Sequence, residues 1–210
     1  MTAGQRQAYD ADWGKWGLRC KDGLLDTGAA FGRPGPLVLE IGFGMGQSLL
    51  QMAAKAPATN FIGIEVHTPG VGKLLHDMDQ QDIQNIRIYR HDAVEVLHDC
   101  IAEASLDSLQ IFFPDPWHKT RHHKRRLIQP DFVALLHTRL KPGGLLHLAT
   151  DWENYAQQMM NVLSATNTFT NTCRTGQYAP RPISRPHTKF EKRGERLGHG
   201  VWDLLFTRTS

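Results

Sequence analysis

The stretch Leu37-Val38-Leu39-Glu40-Ile41-Gly42-Phe43-Gly44-Met45-Gly46 decides how the rest of the chain is read. An apolar run of strand length passes into alternating glycines. Residues 47–56 then carry helical spacing and stop before Pro57. Strand, glycine turn and helix open a βαβ unit, and the alternation continues downstream. Residues 61–65, 86–89, 109–113, 145–149 and 201–207 read as further strands. Residues 71–78, 93–101, 131–140 and 152–163 read as helices, with Asp92 placed to cap the second of these and 141–144 as a turn. The expected fold is α/β, a Rossmann-like and mostly parallel sheet with helices on both faces. In such sheets ligands bind beyond the carboxyl ends of the strands. The residues to examine are therefore Glu40 to Gly46, Glu65, Asp92, Pro114 to Trp117, and Thr150-Asp151.

Length and composition agree with this. A chain of 210 residues reads as one domain, residues 1–210, with 1–35 as an N-terminal extension. Hydrophobic residues make up 40% and mean hydropathy is −0.40, a soluble globular composition. The apolar runs are strand-sized, so no membrane span is expected. Residues 1–10 have no apolar core of a secretory signal. Cys20, Cys100 and Cys173 lie far apart, with neither a disulfide framework nor metal-ligand spacing, so a reducing, cytoplasmic setting is expected. The net charge of +3 conceals a segregation. Residues 1–116 hold 9 Lys/Arg against 15 Asp/Glu, while residues 117–210 hold 15 against 6. The basic half suits a polyanion, and the acidic half suits a different ligand.

The acidic half carries the glycine loop. Gly42, Gly44 and Gly46 form G-x-G-x-G, with Gln47 where the third glycine of a dinucleotide fingerprint would stand. Glu40 adds a carboxylate at the strand end, which disfavours a pyrophosphate and a nicotinamide oxidoreductase. A cationic cofactor without phosphates fits better, and S-adenosylmethionine is such a cofactor. Glu65 lies where an acid accepts ribose hydroxyls, and Asp92 where one accepts from an adenine amino group. The plainer readings are a solvated strand end for Glu65 and a helix cap for Asp92.

The basic half opens with Trp117-His118-Lys119-Thr120-Arg121-His122-His123-Lys124-Arg125-Arg126, five cations and three histidines without an acid. Such a loop, residues 117–128, neutralises phosphates, and its guanidinium planes stack on bases. Cations around the histidines disfavour a metal, and no metal is expected. Just before it, Asp115 stands between Pro114 and Pro116 and beside Trp117, a carboxylate and a flat ring suited to a purine. Asp151 ends the fifth strand, as a second acceptor or as the cap of the next helix. A second basic, proline-rich segment covers 176–198.

The sequence resembles the bacterial tRNA (guanine-N7-)-methyltransferase family over nearly its whole length. The resemblance rests on LEIGFGMGQSL, GIEVHTPGVG, the segment from Asp115 to Arg126, ATDWENYA and the tail from Thr188-Lys189-Phe190-Glu191 onward. It implies a class I methyltransferase fold with a seven-stranded sheet. It implies that Glu40, Gly42, Gly44, Gly46, Glu65, Asp92 and Asp115 bind S-adenosylmethionine, with Asp115 catalytic. Lys119, Asp151, Thr188, Lys189, Phe190 and Glu191 would contact the substrate nucleotide, and Arg121, His122, His123, Lys124, Arg125 and Arg126 the RNA. The implied product is 7-methylguanosine at variable-loop guanine46 of tRNA, the partner being tRNA and the protein a monomer or homodimer. The family also carries a basic stretch ahead of the position of Gly4-Gln5, where this chain begins. Two other readings stand beside it: a methyltransferase of another RNA base or of a protein, and a non-catalytic RNA-binding module on the same fold.

Overall fold

Residues 37–41 form the expected strand, and residues 60–64 pair with it in parallel. The computed structural model describes residues 1–187, 191 and 200–209. The chain divides into two compact units, Met1–Ala102 and Glu103–Ser210.

The first unit is a parallel βα array. Its strands are β1 (Gly17–Leu18), β2 (Leu37–Ile41), β3 (Asn60–Ile64) and β4 (Ile86–Tyr89), hydrogen-bonded in the order β1-β4-β3-β2. Leu39, Ile41, Ile62, Ile64, Ile86 and Ile88 are buried, as strands covered on both faces require. The helices are α1 (Ala3–Trp16), α2 (Thr27–Phe31), α3 (Gln47–Lys55), α4 (Thr68–Gln80) and α5 (Ala93–Asp99). Sequence periodicity does not reveal α1, because only Ala8 and Trp16 of its residues are buried. A reciprocal capping box starts it: Gln5 N donates to Thr2 Oγ1 at 3.3 Å and Thr2 N to Gln5 Oε1 at 2.7 Å. It lies close on α4, where a Cβ at Gly72 would stand 2.6 Å from the Gln5 carbonyl oxygen.

The second unit holds β5 (Leu106–Phe112) and β6 (Leu140–Thr150), which are parallel. β7 (Phe169–Asn171) and β8 (Trp202–Arg208) complete it, β8 running antiparallel to both β6 and β7. A 3-10 segment, Thr120–Arg125, precedes α6 (Pro130–Arg139), and α7 (Glu153–Ser164) follows β6. The expected turn at 141–144 is instead a wide irregularity inside β6. Leu140 pairs with Leu106 and Leu145 with Ser108, and Gly143 takes φ +77°.

The described residues thus hold eight strands rather than seven. The additions escaping the sequence reading are the two-residue β1 and the three-residue β7, both too short to show alternation.

Candidate functional site

In the first unit the glycine loop follows β2. Gly42 and Gly44 take φ of +73° and +58°, and a Cβ at either would meet nothing within 4 Å. Their glycine character answers a backbone need and leaves open space above the loop. Gly46 shares the positive φ, at +77°, and a Cβ there would also stand 2.8 Å from Leu74. Gly70, in the first turn of α4, was not singled out by sequence. A Cβ there would stand 2.0 Å from the Gly44 carbonyl oxygen, so α4 reaches directly under the loop. The Pro69-Gly70 pair at a helix start was the available signal.

Glu65, after β3, holds this loop. Its Oε2 accepts from Gly44 N at 2.8 Å, and its Oε1 from Val66 N and His67 N at 2.8 and 2.9 Å. About three of its four lone-pair positions are thus committed to backbone N–H groups. Asp92 caps α5, its Oδ1 accepting from Val94 N at 2.9 Å and Glu95 N at 3.2 Å. The side chain is otherwise exposed.

Glu40 is the electrostatic anomaly. It is 2% exposed, and its Oε2 finds no hydrogen-bond partner among the described residues. Burial pushes its carboxyl from 4.5 up to about 8. A buried carboxyl oxygen without a partner is costly, and a cationic ligand group would supply one. The open glycine loop and this carboxyl fit S-adenosylmethionine.

In the second unit the candidate residues stand at the ends of β5 and β6. The last ladder bond of β5 runs from Phe113 N to Ala149 O at 2.8 Å. Phe113 and Trp117 then take φ of +54° and +46°, a region bulky residues avoid at a cost on the order of 1–3 kcal/mol each. Between them, stiffened by Pro114 and Pro116, Asp115 is exposed, with Oδ1 3.3 Å from Trp117 N. The strained residues thus stand on both sides of one exposed carboxylate. Asp151 is exposed and does not cap α7. Trp152 occupies that position, its N–H donating to Thr150 Oγ1 at 3.2 Å.

The basic segment sorts into two groups. Lys119, Arg121, Lys124 and Arg125 are exposed, and the Arg125 guanidinium lies 5.0 Å from the Trp117 ring centre. His118 meets Trp152 edge-on at 4.3 Å, and His122 meets Trp117 at 5.9 Å. Arg126 corrects the sequence reading. It is 2% exposed, donating from Nε to Pro116 O, from Nη1 to Gln158 Oε1 and from Nη2 to Asn154 Oδ1, at 2.6 to 2.8 Å. Its Nη2 also lies 3.0 Å from His123 Nε2, and the guanidinium covers the Tyr155 ring at 4.7 Å. Its donors are committed to the protein, so Arg126 anchors the segment that presents the exposed cations.

Thr188, Lys189 and Phe190 lie outside the described residues. Glu191 is buried, 2.6 Å from Arg185 Nη1. Arg185 and its other carboxylate partner, Asp203, were not anticipated. They sit in a proline-rich stretch and a late strand, where sequence offers no periodic sign of a buried ion pair.

A family model described as "Putative methyltransferase" matches residues 34–204. Curated relatives called tRNA (guanine-N(7)-)-methyltransferase align over almost the whole chain. The one from Pseudoalteromonas translucida is 59% identical over 100% of this chain and 87% of its own. Those from Pseudoalteromonas atlantica and Pseudomonas aeruginosa are 56% and 57% identical, over 100% and 99% of this chain and 88% and 85% of theirs. Among solved structures, the 16S rRNA methyltransferase KamB matches 89% of this chain and 95% of its own, with TM-score 0.63 at 12% identity. A phosphoethanolamine N-methyltransferase of Haemonchus contortus, in complex with S-adenosyl-L-methionine, matches 85% of this chain and 50% of its own, with TM-score 0.53 at 14% identity. These distant matches establish the Rossmann-like methyltransferase fold.

Proposed function

The chain belongs to the tRNA (guanine-N7-)-methyltransferase family, and from that premise we propose that it methylates N7 of a tRNA guanine, the variable-loop guanine46, using S-adenosylmethionine. The observation that carries this reading is 56–59% identity to such enzymes across the whole chain. When bound, the cofactor supplies a methyl group on a positively charged sulfonium.

Glu40 binds the cationic end of the cofactor and is neutralised by it rather than by a proton. Gly42, Gly44 and Gly46 let the backbone approach it, Glu65 accepts a ribose hydroxyl, and Asp92 receives the adenine edge. Guanine N7 carries its own lone pair, so no side chain has to remove a proton before attack. Catalysis then rests on positioning and on stabilising charge. The purine becomes cationic as N7 is methylated, and a carboxylate beside it opposes that charge. Asp115 has that role, as the catalytic residue and a cofactor contact. Lys119, Asp151, Thr188, Lys189, Phe190 and Glu191 hold the nucleotide. Lys119, Arg121, Lys124 and Arg125 contact phosphates, and His122 and His123 shape that surface.

Binding the tRNA backbone in this way makes affinity strongly salt-dependent. Methyl transfer to unmodified tRNA, followed by digestion and mass spectrometry, tests the reading. Incorporation of 7-methylguanosine supports it, and a different methylated base overturns it.

A further inference from the structure

The Arg185 guanidinium is 1% exposed and serves two carboxylates at once. Its Nε and Nη2 grip Asp203 of β8 as a fork, at 2.8 and 2.9 Å. Its Nη1 lies 2.6 Å from Glu191 Oε1. Its plane also lies 5.9 and 5.6 Å from the ring centres of Phe112 and Phe113. Asp203 in turn faces His147 Nε2 of β6 at 2.7 Å. Burial raises the Asp203 carboxyl, but the hydrogen bonds from His147 and Arg185 outweigh it and hold it below its ordinary value.

These contacts join the segments that carry the proposed guanine contacts. Phe113 stands two residues before Asp115. Asp203 pairs in register with Ala149, two residues before Asp151. Glu191 closes the run 188–191. A buried ionic cluster contributes little net stability compared with apolar packing, and its best-attested use is to fix one arrangement. We propose that Arg185 is a positioning residue for methyl transfer, locking the strand ends bearing Asp115 and Asp151 and the Glu191 side chain into one geometry. This rests on the function proposed above and extends it to a side chain remote from the exposed site.

Arg185→Lys tests it, because lysine keeps the charge but has no planar fork to hold Asp203 and Glu191 together. A misplacement of about 1 Å costs on the order of 100-fold in rate. Arg185→Lys is therefore expected to lower kcat for tRNA by about 30- to 100-fold. The tRNA KM and the cofactor Kd should stay within about threefold, since phosphate contacts carry the affinity. Asp203→Asn, which removes the other end of the fork, should give the same kcat loss. It also keeps the test open if Arg185→Lys does not fold at the assay temperature. The double variant Arg185→Lys/Asp203→Asn should be little worse than Arg185→Lys alone, because both act through one contact. A folded Arg185→Lys or Asp203→Asn enzyme with kcat within twofold of wild type overturns the proposal, as does a double variant whose loss is the product of the single losses. Wild-type enzyme that makes no 7-methylguanosine would instead overturn the function on which it rests.

Discussion

Glu40 should couple cofactor binding to the release of a proton. Its carboxyl, at about 8 in the folded protein against 4.5 as a reference, carries a penalty on ionisation of about 5 kcal/mol as an upper bound. The unfolded chain loses this proton near pH 4.5 and the folded chain only near pH 8. The contribution to stability is therefore whole below pH 4.5, shrinks as pH rises and is gone above pH 8. At pH 7 the carboxyl is about nine-tenths protonated. A cationic group placed against it favours the ionised form, so the proton leaves as S-adenosylmethionine arrives. The cofactor's α-amino group, with a pKa of about 8, keeps its own proton at pH 7. Titration calorimetry at pH 7 in two buffers of different ionisation enthalpy should report release of about 0.9 proton per cofactor bound. Affinity should rise about tenfold between pH 6 and 7. Glu40→Gln should bind more weakly, show no buffer dependence and lose the slope of stability between pH 4.5 and 8. Buffer-independent binding by the wild type, or equal proton release by Glu40→Gln, would refute the reasoning.

Four further outcomes are expected. Asp115→Asn should lower kcat by about 100-fold or more with little change in tRNA KM, in a methyl-transfer assay, if its charge opposes the cationic purine. Gly70→Ala should weaken cofactor binding at least about tenfold by calorimetry, because the new methyl would lie 2.0 Å from the Gly44 carbonyl oxygen and displace the loop. Arg126→Met should destabilise the fold by about 3 kcal/mol in denaturant melts, since it strips partners from Pro116, Asn154 and Gln158. Arg121→Ala, by contrast, should leave the melt unchanged and reduce the salt slope of tRNA binding by about one.

The βα order was legible because each buried parallel strand is a short apolar run ended by glycine, proline or an acid. The acids at the strand ends were legible for the same reason, since the topology places strand ends at the ligand crevice. What spacing does not encode is how much of a side chain's bonding capacity is already spent. Glu65 commits three of its lone pairs to backbone N–H groups, Asp92 commits an oxygen to a helix cap, and Arg126 commits its guanidinium to its own segment. Glu65 and Arg126 read in sequence as available charges, and Asp92 as either a cap or an acceptor. Glu40 is the opposite case, a carboxyl whose want of a partner becomes visible only once burial is known. Arg185 was hidden for another reason: its partners, Asp203 and Glu191, flank it from a late strand and from the far side of Pro186. The strain at Phe113 and Trp117 depends on backbone angles, although the two prolines around Asp115 hinted at a rigid turn.

The proposed activity can be tested on one product. Purified protein, S-adenosylmethionine and unmodified tRNA should yield a single 7-methylguanosine, and nuclease mapping should place it in the variable loop. No methyl incorporation, or methylation of a different base or a different guanine position, would contradict it.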